Sequence, residues 1–344
     1  MRCLFGSMLV AAIATVACPG SARPQDAADT PAPVGRAAAE QARFELKDGD
    51  RVVFIGNTFF EREGRYGYIE TMLTTRYPGK RITFRNLGWS GDTVWGESRG
   101  YFEPEKGYQN LIDLVAELKP TVIFLAYGNN EAFAGKEGLA PFIKQYNKFL
   151  DDLEKFTKRI VLLGCLAPEE QSPPLPDLSR YTTSVAGCNE AIKAIASERQ
   201  HHFFSIEISQ LDHQGGHATD GVHLTGGGYR AVADRLVKYI VPTAKTQASP
   251  NMEHAERIRM AIVAKNQLFF YRWRPQNTTY LLGFRKHEQG QNAKEIAQFD
   301  PLIAAKEEEI FKLAQPVAHK YELIRVKEDR KGGDKRDANE KGDK

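Results

Sequence analysis

The chain is poor in cysteine, nearly balanced in charge and, beyond its first two dozen residues, without a long apolar run. Four cysteines in 344 residues do not make a disulfide scaffold, so a hydrophobic core must hold the fold. Forty-seven Lys/Arg against forty-four Asp/Glu leave a formal net charge of +3, too even for the electrostatic footprint of a nucleic-acid binder. Gly226-Gly227-Gly228 lacks the lysine and the spacing of a phosphate loop. His213, His217, Asp220 and His223 also read as metal ligands, but their spacing matches no recognised zinc pattern. No cofactor and no metal are therefore expected.

The one apolar stretch of note, Leu4 to Val16, follows Arg2 and precedes Cys18-Pro19-Gly20-Ser21-Ala22. It is shorter than the roughly 20 residues of a membrane span and has the form of a secretory signal peptide over residues 1–22, cleaved after Ala22. The rival reading is a lipoprotein acylated at Cys18, although Thr15-Val16-Ala17-Cys18 is a poor lipobox. Residues 23–40, rich in Ala, Pro and Asp, read as a linker, and residues 327–344 as a disordered charged tail. A secreted or periplasmic location follows. Export permits a disulfide between Cys165 and Cys188, but Cys165 ends an apolar run, which favours two small buried hydrophobes.

Between these ends, residues 41–245 alternate short apolar runs with amphipathic stretches. Arg51 to Ile55, Ile82 to Phe84, Thr121 to Ala126, Arg159 to Leu163 and Phe203 to Ile206 read as strands. Helices are expected through Tyr68 to Leu73 (ending at Tyr77-Pro78-Gly79) and over about 108–118, 139–157, 186–198 and 227–240. The third strand is apolar throughout rather than alternating, which requires burial on both faces. Such a pattern is an open, doubly wound α/β sheet whose ligand crevice lies beyond the carboxyl ends of the strands. The Pro-rich loop from Ala167 to Ser184 is long for a compact domain, so a functional role is expected of it. Residues 250–326 form a helical extension, with helices over Met252 to Trp273 and Phe299 to Val317. The aromatic face of the first packs on the core, and Arg272 and Arg274 reach toward a site rim.

Four short segments fall at the expected strand ends: Gly56-Asn57-Thr58, Asn86 to Thr93, Gly128-Asn129-Asn130-Glu131, and Asp220-Gly221-Val222-His223-Leu224. Together and in this order they resemble the SGNH (GDSL-like) hydrolase superfamily over about Arg51 to Val241. The extension is similar to one in secreted members from planctomycete bacteria. The resemblance implies a three-layer α/β/α flavodoxin-like parallel sheet, a serine-esterase mechanism and ester substrates. The family's nucleophilic serine falls on Thr58, its acidic neighbour on Asn57, its oxyanion glycine on Gly91, its oxyanion asparagine on Asn130, and its Asp and His on Asp220 and His223.

Elementary chemistry runs parallel to this. A hydroxyl needs an imidazole to take its proton, and the imidazole needs an acceptor to set its tautomer. His223 suits the base and Asp220 the orienter, while the Thr58 and Gly91 amides and the Asn130 side chain suit an oxyanion hole. Each has a plainer role beside it: helix cap for Thr58, turn residue for Gly91, loop tie for Asn130, a structural pair for Asp220 and His223.

The methyl of Thr58 restricts χ1, which leaves three outcomes open: a specialised nucleophile, a ligand-binding site without turnover, or water activated directly by His223. The expectation is an exported ester hydrolase acting on a small-molecule or polysaccharide ester, with O-acetylated carbohydrate as first choice. Trp89, Trp95, Tyr101 and Tyr127 are candidates for a sugar-stacking surface, core packing being the commoner role. The alternative is a catalytically inactive module of the same fold binding carbohydrate or a protein partner.

Overall fold

A computed structural model describes residues 44–169, 174, 176–206, 216–240 and 252–315. The expected signal peptide, linker and tail, together with His213 and part of the Pro-rich loop, lie outside the described residues.

Five parallel strands make one sheet: β1 (Arg51–Gly56), β2 (Thr83–Gly88), β3 (Val122–Ala126), β4 (Ile160–Leu163) and β5 (His202–Phe204), in the order β2-β1-β3-β4-β5. Every residue of β3 and β4 is buried, as their unbroken apolar character requires. The two-residue period of a strand divides these side chains between two cores. Val52, Phe54, Val122, Phe124, Val161 and Leu163 enter one, packed with helices α1 (Thr58–Tyr66), α2 (Tyr68–Arg76) and α6 (Gly226–Ile240). Val53, Ile55, Ile123, Leu125, Ile160 and Leu162 enter the other, with α3 (Gly107–Leu118), α4 (Gly135–Leu153) and α5 (Ser179–Arg199). The result is a three-layer α/β/α fold.

The extension comprises α7 (Met252–Trp273), one-turn helices α8 (Thr278–Leu281) and α9 (Lys286–Gln289), and α10 (Phe299–Leu313). An edge strand exposes unpaired backbone groups, and α7 covers the β2 edge, also touching α1 and α2. Lys265 on α7 is fully buried there. Its ammonium donates to both Glu70 carboxylate oxygens (2.7 and 2.8 Å) and to the carbonyl of Phe84 in β2 (3.0 Å). Phe269 and Trp273 are buried in the second core, as the aromatic pattern of this segment implied.

Several boundaries differ from the sequence pattern; α4 runs over Gly135–Leu153 rather than about 139–157, and β5 over His202–Phe204 rather than Phe203 to Ile206. The first helical region is split at Gly67, whose left-handed φ of 69° ends α1; a Cβ there would also meet Val263 of α7 at 3.1 Å. Strand β2 runs on to Gly88, its polar Arg85 and Asn86 hiding the apolar period. Helix α5 begins at Ser179 rather than near 186, since Tyr181 and Val185, four apart, already anchor its buried face. Cys165 and Cys188 are buried and free, not bridged. Among the described residues no helix is long and apolar enough to cross a membrane.

Candidate active site

The chain leaves β1 at Gly56 and turns directly into α1. A Cβ on Gly56 would stand 2.4 Å from the carbonyl oxygen of Ala126, so only glycine lets β1 and β3 finish side by side here. The Asn57 side chain accepts from the Phe59 amide (3.1 Å) and caps α1. Thr58 is therefore the first helical residue, not the cap, and its hydroxyl is left for other work. Its own amide belongs to the first turn, where no intrahelical acceptor exists.

Strand β2 ends at Gly88, against α1: a Cβ there would lie 2.1 Å from the Glu61 amide nitrogen. The following loop is pinned when the Ser90 amide donates to Glu61 Oε2 (2.8 Å), which also accepts from Arg274 (2.7 Å). Burial would raise the Glu61 carboxyl, but the Ser90 amide and the Arg274 guanidinium outweigh it and hold the group below its ordinary value. The Arg274 guanidinium lies 3.6 Å from the centre of the Trp89 ring. Arg274 thus carries the extension to this loop, whereas Arg272 pairs away from it, with Glu117 and Asp300.

Gly91, at φ 77°, supplies the left-handed turn that aims its amide at Thr58 Oγ1, 3.4 Å away. Below it, fully buried Asp92 accepts through Oδ2 from Arg99 Nε (2.6 Å) and the Tyr127 hydroxyl (2.7 Å). Arg99 also donates to the carbonyl of Leu87 (2.8 Å). Asp92 in turn gives its backbone carbonyl to the Asn130 side-chain amide (2.6 Å). One Asn130 N–H is thereby spent on orientation and the other remains.

The loop after β3 is held by Glu131, whose carboxylate accepts from the Gly128 and Val94 amides, both at 2.8 Å. Burial outweighs these bonds and raises its carboxyl to about 7. Asn129 ties to Leu166 in both directions (2.8 and 3.1 Å), joining this loop to the end of β4.

The last loop folds back on itself through a bridge between Ala218 and Leu224. Glu169 anchors it, accepting from the His217 and Ala218 amides (3.1 and 2.9 Å). Asp220 Oδ1 accepts from the His223 and Val222 amides (2.8 and 3.2 Å), while Oδ2 lies 2.7 Å from His223 Nδ1. Burial would raise the Asp220 carboxyl, but the His223 ring and these amides bring it below its ordinary value. An ionised carboxylate only accepts, so Nδ1 carries a proton, and in the neutral ring Nε2 is the acceptor.

Thr58, Asn130 and His223 line one pocket of about 180 Å³, together with Arg62, Phe133 and Tyr181. Gly91 stands beside it through its contact with Thr58. Among the described residues no hydrogen bond joins Thr58 Oγ1 to His223; the hydroxyl faces the Gly91 amide instead. The aromatic candidates do not form the expected surface. Tyr127 is 1% exposed and spent on Asp92, Trp89 lies under Arg274, Trp95 packs on the second core, and Tyr101 sits edge-on to Trp89. The aromatic lip is Phe133 stacked on Tyr181, ring centres 4.3 Å apart. Phe133, Arg62, Arg99 and Glu169 escaped the sequence reading, and Asp92 stood in the second segment with no role given to it. Of the four, the exposed phenylalanine beside the Gly128 to Glu131 segment left a trace, as an apolar residue out of register with α4.

A parallel sheet ordered 2-1-3-4-5, with polar loops gathered at its carboxyl end, defines a flavodoxin-like hydrolase architecture of the SGNH type. The profile of the GDSL-like Lipase/Acylhydrolase family matches residues 48–231. The chain belongs to that family and is an ester hydrolase of SGNH type. Solved structures are similar to the chain, and the first of them shares its fold. A gut microbial diltiazem-metabolizing enzyme superposes with a TM-score of 0.55 at 14% identity, covering 80% of this chain and 97% of its own. Axe2, an acetylxylan esterase from Geobacillus stearothermophilus, gives 0.46 at 19%, covering 60% of this chain and 100% of its own. No curated protein matches the chain.

Proposed function

We propose that the protein is an exported acyl-ester hydrolase acting on O-acetylated carbohydrate, with Thr58, His223 and Asp220 as its catalytic residues. The reading is carried by one observation: a carboxylate-held imidazole, at 2.7 Å, opens on the same small pocket as a hydroxyl at a helix start and an oriented side-chain amide. In this scheme a χ1 rotation brings Thr58 Oγ1 to His223 Nε2, which takes its proton as the oxygen attacks the ester carbonyl carbon. The resulting oxyanion is met by the Thr58 and Gly91 amides and the free Asn130 N–H. Collapse expels the alcohol, which receives the proton from His223. Water, deprotonated by the same imidazole, then releases the acid and restores Thr58.

The contact between Thr58 Oγ1 and the Gly91 amide favours a second route. There His223 deprotonates a water that attacks the ester directly, and Thr58 orients that water. Both routes need His223. The purified protein should hydrolyse short acyl esters and acetylated sugars, and His223→Ala should abolish this; equal rates for the two proteins would defeat the proposal. Thr58→Ala separates the routes: activity is lost if Thr58 is the nucleophile and largely kept if water attacks. Thr58→Ser should keep or raise activity in the first case.

A further inference from the structure

Thr58 and Arg62 are four residues apart on α1, so they stand one turn apart on one helix face. Phe59, Phe60 and Glu63 take the buried face, leaving Arg62 half-buried on the pocket wall. There Arg62 makes no hydrogen bond and no ion pair with any described residue. Arg65, Arg76, Arg180, Arg230 and Arg257 share this, whereas Arg99, Arg159, Arg199, Arg259, Arg272 and Arg274 all meet a carboxylate; of the unpaired arginines, Arg62 is the one that lines this pocket.

The neighbouring acids are committed elsewhere. Glu61 holds Ser90 and Arg274, Glu63 accepts from the Ile69 amide (2.6 Å), and Asp220 holds His223. Among the described residues lining the pocket there is no carboxylate at all. The helix start beside Thr58 adds further positive potential. The same pocket is lined by Phe133, 68% exposed and stacked on the buried Tyr181; the open face of Phe133 is a flat apolar platform of the kind that receives the face of a ring.

We propose that Arg62 is a recognition point for a carboxylate carried by the substrate, so that the pocket prefers an acidic ester, such as that of an acidic sugar, to its neutral counterpart. The inference rests on the ester-hydrolase reading of this pocket and adds the charge of the substrate to it. A planar guanidinium donates two parallel hydrogen bonds to a carboxylate, a match no ammonium reproduces. The carboxylate has two possible positions, on the acyl part or on the alcohol part of the ester, and the test separates them.

For the intact protein, kcat/KM is compared between the 4-nitrophenyl esters of acetate and of succinate, the latter anionic on the acyl side. The second comparison is O-acetylated glucose against O-acetylated glucuronate, anionic on the alcohol side. One of the two acidic-to-neutral ratios should be about tenfold or more in the wild type. It should collapse toward one in Arg62→Gln, survive in part in Arg62→Lys, and shrink in the wild type at about 0.5 M salt. Ratios near one for both pairs in the wild type, or a ratio that Arg62→Gln leaves unmoved, overturn the proposal.

If no ester is turned over, calorimetric titration of D-glucuronate and of succinate against D-glucose reads the same preference. Tighter binding of either acid, lost in Arg62→Gln, supports it; equal binding of all three overturns it. An inert protein that keeps this binding preference defeats the hydrolase reading alone, and an active one with no preference defeats the Arg62 inference alone.

Discussion

Two carboxylates within this family's site blocks live opposite lives. Asp92 is fully buried and clamps Arg99 and Tyr127 beneath the pocket floor, whereas the Asp220 side chain is 40% exposed and clamps only the imidazole at the pocket mouth. A buried ion pair costs desolvation that its own geometry must offset, and breaking it strands a charge. An exposed pair stabilises the fold very little, yet it can exchange protons with solvent and substrate. The molecule therefore places its rigidity below the pocket and, under the proposed mechanism, its proton chemistry at the surface.

The difference is broken most severely by Asp92→Ala. Arg99 is left buried without its carboxylate, so stability should fall by about 3–5 kcal/mol, read by denaturant unfolding. A loss below about 1 kcal/mol would mean that water enters the floor and the contrast is unfounded.

Glu131 comes next, as a buried acid with its carboxyl raised to about 7 from 4.5. A raised acid favours the folded state at low pH, and that contribution is lost as pH rises from the unfolded value through the folded one. Stability should accordingly decline between about pH 4.5 and about pH 7, by roughly 2–3 kcal/mol at about 1.4 per unit. Glu131→Gln, which sacrifices one of the two amide bonds, should flatten that slope in thermal melts taken across this range.

Arg274→Ala removes both the Glu61 contact and the guanidinium over Trp89. About 1–2 kcal/mol is expected, with a rise in KM if the Ser90 to Gly91 turn loosens. An unchanged melt and unchanged kinetics would detach the extension from the site.

Asp220→Asn should alter stability least, within about 0.5 kcal/mol. Under the proposed mechanism its kcat/KM should nonetheless fall by roughly a thousandfold or more, because the imidazole loses its preferred tautomer. Large unfolding losses in this variant would erase the distinction between floor and mouth.

Much of the fold was legible along the chain. The run Thr121 to Ala126 announced a strand buried on both faces, and Asp220 and His223 stood close enough together to be read as a pair. Thr58, Gly91 and Asn130 came from the motif order, and their convergence near one pocket is visible only in three dimensions. Arg99 was not legible, because its value lies in Asp92, Tyr127 and the Leu87 carbonyl, none of which its neighbours in sequence suggest. Trp89 and Tyr127 looked like a stacking surface because composition cannot tell a ring facing solvent from one facing an arginine.

What the sequence determined alone was local and periodic: which segments are strands, which faces are apolar, where a helix must stop, and which residues have the chemistry for proton transfer. Tertiary structure decided the rest: that Asn57 rather than Thr58 caps α1, that Lys265 seals the β2 edge, that Arg274 reaches Glu61, and that Arg62 is left without a partner among the described residues. Periodicity is a property of neighbours along the chain, but the pairing of charges and the exposure of a ring depend on what distant segments bring to the same place.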